Sequence, residues 1–344
     1  MAEVVHSPKV VLVTGGAGFI GCNFVRYLLA ANPHLRVINY DALTYAGSLA
    51  NLDGVQDAYP DRYRFVHADI CNQAVVDRIF AEESVDTVVH LAAESHVDRS
   101  ITGPEQFLRT NVTGTYVLLQ SARQAWSGRD DVRFHYVSTD EVFGSLADDL
   151  YSTETTRYNP SSPYSASKAA ADHIVHAWHH TYGLPVTLSY CSNNYGPYQF
   201  PEKLLPLMIA NALAGKQLPV YGGGKNVRDW LFVEDHCRAL DLIIRRAPAG
   251  CSFNVGGHNT WTNIDIVNLL CDKLQQLRPR SGGHYRNLIT FVQDRPGHDR
   301  RYAIDAGLIQ AKLGWRPQCT FEQAMELTIR WYLDHRDWIE KVRR

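Results

Sequence analysis

Between Tyr136 and Lys168 the chain gathers residues that could move protons. Ser138, Thr139, Asp140 and Glu141 follow one another at the end of an apolar run, and Tyr164 and Lys168 stand four residues apart further on. Two carboxyl groups in different surroundings can act as acid and base in one reaction. A tyrosine and a lysine at i and i+4 of a helix leave the same face. A nearby ammonium, together with the positive charge of an oxidised nicotinamide, would favour the phenolate and lower the Tyr164 pKa, suiting it to take a hydroxyl proton from a substrate that also gives up hydride. Both patterns have plain structural counterparts. Ser or Thr ahead of an acidic pair can cap a helix, and a Tyr/Lys pair can be a surface contact.

The neighbouring sequence weighs on the side of chemistry. Residues 9–13 are almost all apolar, as in a strand buried on both faces of a parallel sheet. They run into TGGAGFIG, with Gly15, Gly18 and Gly21, and then into a helical pattern over 24–29. Such a turn lets backbone N–H groups meet a pyrophosphate at a helix N-terminus; alone it could be a simple strand-to-helix turn. A second strand, 36–40, ends in Asp41, where a carboxylate can bind ribose hydroxyls and repel a 2′-phosphate. The combination predicts a dinucleotide site preferring NAD to NADP. Strands at 63–67, 86–90, 133–137 and 185–189 alternate with helices at 75–80, 105–126 and 165–182. Residues 191–197 read as a turn-rich loop. Short strands (218–221, 229–233) and helices (234–245, 263–277) follow, the last clear helix being 321–335.

This alternation predicts an α/β fold, a Rossmann-type doubly wound parallel sheet with a smaller C-terminal α/β substrate lobe. The expected division is an NAD-binding domain over 1–190, to which later segments return, and a mainly substrate-binding lobe over 191–344. Thr14, Asp41, Asp69, Ala92 and Ser138 then fall at strand ends around one crevice. The net charge of −2 gives no field for nucleic acid. Seven scattered cysteines with no CxxC spacing fit reduced thiols in the cytoplasm. No apolar run reaches membrane-spanning length and the first residues lack a signal-peptide pattern. No metal is implied, because His179-His180 has no spaced partners.

The strings TGGAGFIG and YSASK resemble the extended short-chain dehydrogenase/reductase superfamily. LAAESHVDRSITGP, STDEVFG, SSPYSASK, CSNNYGPYQFPEKL, VRDWLFVEDH and RPGHDRRYAID are similar to the dTDP-glucose 4,6-dehydratase family, over about residues 9–340. That resemblance implies oxidation of a hexose at C4 with NAD, elimination of water across C5–C6, and return of hydride to C6. It assigns Tyr164 as base, Thr139 to the C4 oxygen, Lys168 to the ribose, Glu141 to the C5 proton and Asp140 to the departing hydroxyl. It places Phe19 and Ile20 at the pyrophosphate, and Asp41, Ala42, Leu43 and Thr44 at the adenosine ribose. Asp69 and Ile70 go to the adenine, Leu91, Ala92, Ala93, Glu94 and Thr110 along the crevice, and Asn194 near the nicotinamide. The implied substrate contacts are Ser95, Thr139, Asn193, Lys203 and Leu204, then Pro219, Val220 and Tyr221 at the base. Arg228, Asn263, Asp294, Arg295, Pro296, Gly297 and His298 would surround the diphosphate; a guanidinium such as Arg228 pairs well with phosphate oxygens. It also implies a homodimer through a four-helix bundle of helices 105–126 and 165–182.

Ala42, on the adenosine side, Phe143 and Tyr190 depart from the family pattern without touching the proton chemistry, and a short 145–161 connection implies a different substrate-facing loop. Other readings remain open on the same scaffold: a UDP-sugar dehydratase, a 4-epimerase or decarboxylase, or a non-catalytic NAD-binding redox sensor. The adjacent Asp140 and Glu141 favour the dehydratase, since an epimerase needs no such pair.

Overall fold

The apolar run after Lys9 becomes strand β1 (Val10–Thr14), flanked on both sides within a parallel sheet. A computed structural model describes residues 6–294 and 299–343. After β1 come β2 (Arg36–Asp41), β3 (Tyr63–His67), β4 (Thr87–His90), β5 (Arg133–Thr139) and β6 (Val186–Cys191). Then follow β7 (Asn193–Tyr195), β8 (Leu218–Tyr221), β9 (Val227–Phe232), β10 (Ser252–Val255), β11 (Thr260–Thr262) and β12 (Ile289–Val292). The large sheet is ordered β10-β6-β5-β4-β1-β2-β3, and every neighbouring pair is parallel. This is the doubly wound sheet that the strand–helix alternation predicts. Strand order reverses between β1 and β4, and in such sheets ligands bind outside the carboxyl ends at that reversal.

Helices bury apolar stripes on both faces. Phe19–Ala31 and Val233–Arg246 pack one face through Phe24, Val25, Leu28, Leu240 and Ile243. Gln73–Glu83, Thr115–Ala125 and Pro163–Tyr182 pack the other through Ile79, Leu118, Leu119, Ala171 and Val175. Residues 191–344 contribute β10 and the helices Val233–Arg246 and Gly307–Leu313 to this body, the last through Ile309 beside Ala306 and Trp315. The remainder forms a lobe with its own core, including Met208, Ile209, Leu270, Leu274, Met325 and Tyr332. Its sheets are β11-β9-β7 and β12-β8.

Three local expectations change. Residues 191–197 are not all loop: β7 pairs in parallel with β9, Asn193 opposite Trp230 and Tyr195 opposite Phe232. A three-residue strand is too short to show a period, and its partner lies far along the chain. The stretch over 105–126 is helical but not uniform, with a π-helical Leu108–Gly114 between α-helices Pro104–Phe107 and Thr115–Ala125. A further helix, Arg336–Val342, follows Phe321–Asp334. No helix among the described residues is long and apolar enough to cross a membrane.

Candidate active site

A crevice of about 340 Å³ lies over the carboxyl ends of β1, β2, β4, β5 and β6. At one end Gly15 turns the chain out of β1 with φ +72, and a Cβ there would stand 2.7 Å from the Ala92 Cα. Gly21 is held closer still, its missing Cβ 2.1 Å from the Gly15 carbonyl oxygen. Gly18 opens the helix Phe19–Ala31 with no side-chain cap, so the first-turn N–H groups at the crevice are left for a ligand. The Asp41 carboxylate accepts from Ala17 N (2.8 Å) and Leu43 N (2.7 Å), which fixes it at the end of β2. Burial pushes its pKa up while those two backbone bonds pull it down. Small residues, bare helix N–H groups and a fixed carboxylate fit NAD, and the buried carboxylate opposes a 2′-phosphate.

The crevice tolerates no bulk at the turn. Gly21→Ala must push the Gly15 carbonyl aside, because that oxygen and the helix backbone are both constrained. Overpacking of this kind costs about 1–3 kcal/mol. We expect Gly21→Ala to lose stability by that amount in urea unfolding and to be purified with little bound NAD, measured as nucleotide released per chain.

At the other end, β5 is buried along its whole length and delivers Thr139, Asp140 and Glu141. The capping pattern and the chemistry coincide here. Thr139 caps a 3₁₀ turn, Asp140–Phe143, and its Oγ1 accepts from Glu141 N at 3.3 Å. That turn rests on a small cluster of Val142, Phe143, Ala169 and Tyr190. The helix Pro163–Tyr182 starts with a Ser162/Ser165 capping box and Pro163 in its first turn, and ends at Gly183 (φ +70). Tyr164 therefore sits in the first turn and Lys168 one turn on, both facing the crevice.

Electrostatics separate the carboxyl groups' roles. Burial, then the charges of Glu141 and Asp229, hold the Asp140 pKa well above the carboxylate range, against the Arg228 guanidinium. Asp140 is thus biased towards its protonated, neutral form, and its Oδ2 is buried without a hydrogen-bond partner. The expected lowering of Tyr164 is not what this arrangement produces by itself. Burial and Glu141 raise the phenol's pKa well above its ordinary value, while a hydrogen bond with Thr139 lowers it. The Lys168 ammonium turns to the Val137 carbonyl oxygen (2.8 Å) and lies 4.1 Å from the centre of the Tyr136 ring. The spacing gave the shared face but not this turn of the lysine.

Of the residues expected at the cofactor, all but Leu43 line this crevice, as do Ser95, Thr139, Asn193 and Lys203. Leu43 (φ 50) acts through its backbone, donating to Asp41. Asn194 is committed to neighbours, donating to the Ser192 carbonyl oxygen (3.0 Å) and bonded to His236 (2.9 Å). Leu204, Pro219, Val220, Tyr221, Arg228, Asn263 and Asp294 lie outside the crevice, in the smaller lobe. Val220 is buried, and Tyr221 is exposed at the end of β8, whose paired strand β12 leads to Asp294 over Gly222. Arg228 is buried, donates to the Val227 (2.8 Å) and Asp299 (3.0 Å) carbonyl oxygens, and stacks on Tyr302. The expected contacts Arg295, Pro296, Gly297 and His298 lie outside the described residues.

Sequence reasoning missed part of the lining. Tyr45, with the Arg99 guanidinium 4.0 Å over its ring, meets Phe200 edge-on near Lys203. Phe200 and Glu202 fall within CSNNYGPYQFPEKL, so the motif held the signal, whereas Tyr45 stands in no pattern. Among the described residues no group of three or more His, Cys, Asp or Glu could hold a metal ion.

A family model described as GDP-mannose 4,6 dehydratase matches residues 12–328. The dTDP-glucose 4,6-dehydratase of Shigella flexneri is 55% identical over 348 residues, covering 97% of this chain and 95% of that protein. A Streptomyces venezuelae dTDP-glucose 4,6-dehydratase solved with NAD and TYD bound is 48% identical, with TM-score 0.89, over 97% of this chain and 99% of the other. One from Bacillus anthracis, solved with NAD, is 44% identical with TM-score 0.87, over 97% and 99%.

Proposed function

This chain belongs to the dTDP-glucose 4,6-dehydratase family, and from that premise we propose how its own residues carry out the reaction. The protein is an NAD-dependent hydro-lyase: dTDP-glucose is oxidised at C4, loses water across C5–C6 and is reduced at C6, giving dTDP-4-keto-6-deoxy-glucose. NAD, when bound, takes up the C4 hydride and gives it back at C6.

Thr139 hydrogen-bonds the C4 oxygen and Tyr164 accepts its proton. Because burial and Glu141 raise the phenol's pKa, the phenolate depends on positive charge in the closed crevice, and Lys168 contributes part of it. A ketone at C4 makes the C5 proton acidic, and Glu141 removes it. Asp140, already protonated, gives its proton to the C6 hydroxyl, which departs as water. Glu141 returns a proton to C5 as C6 is reduced, and the proton held by Tyr164 replaces the one lost from Asp140 through solvent. The observation that carries this division is a buried Asp140 with an unpartnered Oδ2, next to Glu141, whose charge and the burial raise the Asp140 pKa.

The cofactor lies along Gly15, Gly18, Asp41, Asp69 and Ala92, and the nucleotide of the substrate extends over Arg228, Asn263 and Asp294 in the smaller lobe. Two copies pair through the helical stretches Pro104–Ala125 and Pro163–Tyr182. Exposed Leu108, Tyr116 and Tyr182 support that pairing. Seven unpaired cysteines support a reducing, cytoplasmic setting.

Incubation with dTDP-glucose in deuterated water tests the reading. The expected product is the 4-keto-6-deoxy sugar with deuterium at C5, and no net NADH builds up because the hydride returns. Formation of dTDP-galactose, or NADH in proportion to substrate consumed, would overturn it.

A further inference from the structure

Asp172 is a fully buried carboxyl group one turn beyond Lys168 in the helix Pro163–Tyr182, and no step of the reaction above uses it. Its Oδ2 accepts from the Ser138 hydroxyl at 2.9 Å. Ser138 is the residue immediately before Thr139 at the end of β5. On the other side stand Tyr158 and Tyr190, whose hydroxyls are 2.7 Å apart. Lys168 is itself buried, and its two close partners, the Val137 carbonyl oxygen and the Tyr136 ring, carry no net charge. The carboxylate one turn further along its helix, that of Asp172, stands beyond direct ion-pair contact but is bonded to Ser138, next to the Val137 carbonyl that takes the ammonium. A buried ammonium without a counter-charge tends to lose its proton.

We propose that Asp172 is a positioning residue for this reaction, the buried counter-charge that keeps Lys168 cationic beneath the crevice while its bond to Ser138 ties that charge to the strand end bearing Thr139, Asp140 and Glu141. The proposal rests on the dehydratase reading. Its balance of charge is local. Burial lowers the Lys168 pKa, and Asp172 is the largest influence raising it again. Burial raises Asp172 in turn to about 7, with Lys168, Ser138 and Tyr158 lowering it, so the carboxylate is the prevailing form above that pH, where the alkaline limb is read. The other titratable groups facing the pair are accounted for element by element. Strand β4 brings His90, held neutral by burial and by Lys168. Strand β5 brings Tyr136, and β6 brings Tyr190 and Cys191, all with raised pKa values and so neutral. Tyr158 from the connection ahead of the helix is neutral for the same reason. Glu141 and Asp140 act on Tyr164, at the crevice end of the helix. The helical stretch over 108–125 brings the uncharged Asn111 and Thr115.

The sign follows from the lysine. Its ammonium is needed in the crevice and is lost as pH rises past its folded pKa. Removing the counter-charge lowers that pKa, so the alkaline limb of the activity profile moves to lower pH. We expect Asp172→Asn, which keeps an oxygen for Ser138, to shift that limb down by about one pH unit. Asp172→Glu should keep the limb near its original place. The pH dependence of the thermal midpoint is measured alongside. A purely structural role lowers the midpoint at every pH and leaves the limb in place, which overturns the proposal. If the Asn variant does not fold, Asp172→Glu and Asp172→Gln, matched in shape and different in charge, make the same comparison, and coincident limbs overturn the proposal. A wild-type chain that does not dehydrate dTDP-glucose overturns the dehydratase reading and this role with it. A working wild type with an unmoved limb overturns this role alone.

Discussion

Glu141→Gln is expected to bind NAD, oxidise C4 and then stop. The amide has the shape of the carboxylate but cannot take the C5 proton, so product formation falls by about 10²–10⁴-fold, the usual contribution of a positioned base. The backbone of residue 141 is held by the Thr139 cap at 3.3 Å, which the substitution leaves in place, so the fold should survive. Removing the Glu141 charge also relieves Asp140 and Tyr164, since that charge raises both. The first proton transfer should therefore become easier even as the second fails. Reduced cofactor then builds up on the enzyme to a stoichiometric level, while deuterium exchange at C5 disappears. Single-turnover absorbance and mass spectrometry of recovered sugar read the two effects separately. Exchange at C5 at the wild-type rate would show that another group removes that proton.

What could be read in advance was local. The turn at Gly15 to Gly21, the carboxylate closing β2 and the Tyr164/Lys168 spacing are each written within a few residues, because backbone geometry or helical phase forces the residue type. Assembly from distant segments left no such trace. Ser252–Val255 completes the large sheet beside β6, yet four residues carry no period of their own, and the strand is defined by its partner. The same holds for β7 against β9. Tyr45 reaches the crevice because Arg99 and Phe200 hold its ring, a contact among three separate segments. Charge states were the least legible. Adjacency of Asp140 and Glu141 points to opposite roles, but the upward push on the Asp140 pKa comes from burial and from Glu141 and Asp229, against Arg228, the last two arriving from β9. In the crevice alone, burial and Glu141 likewise raise the Tyr164 phenol. Spacing puts Lys168 on the same face, and only packing decides that its ammonium meets Val137 instead of the phenol.

Tyr164→Phe separates the order of events. The substitution removes one hydroxyl and keeps the ring, whose centroid lies 6.4 Å from that of Phe107 in an edge-on contact, so little packing is lost. The lost partner is a hydrogen bond with Thr139, worth about 0.5–1.5 kcal/mol net. Thermal unfolding should therefore change by no more than a few degrees. Catalysis should fall much further, by about 10²–10⁴-fold, because the C4 hydroxyl then has no base beside it. The decisive contrast is with Glu141→Gln. That variant halts after oxidation and accumulates reduced cofactor; the phenylalanine variant halts before oxidation and accumulates none. It should also show no deuterium at C5, although Glu141 is intact, because the C5 proton is not acidic until C4 is a ketone. Exchange at C5 in Tyr164→Phe without cofactor reduction would mean that Glu141 can act on the unoxidised sugar, and the sequence of steps assigned to this crevice would be wrong. Supplying the 4-keto-glucose nucleotide directly to Tyr164→Phe, with NADH in place of NAD, bypasses the missing base. Elimination should then proceed through Asp140 and Glu141 alone, which assigns the loss to the phenol and leaves the two carboxyl groups as an independent acid–base pair.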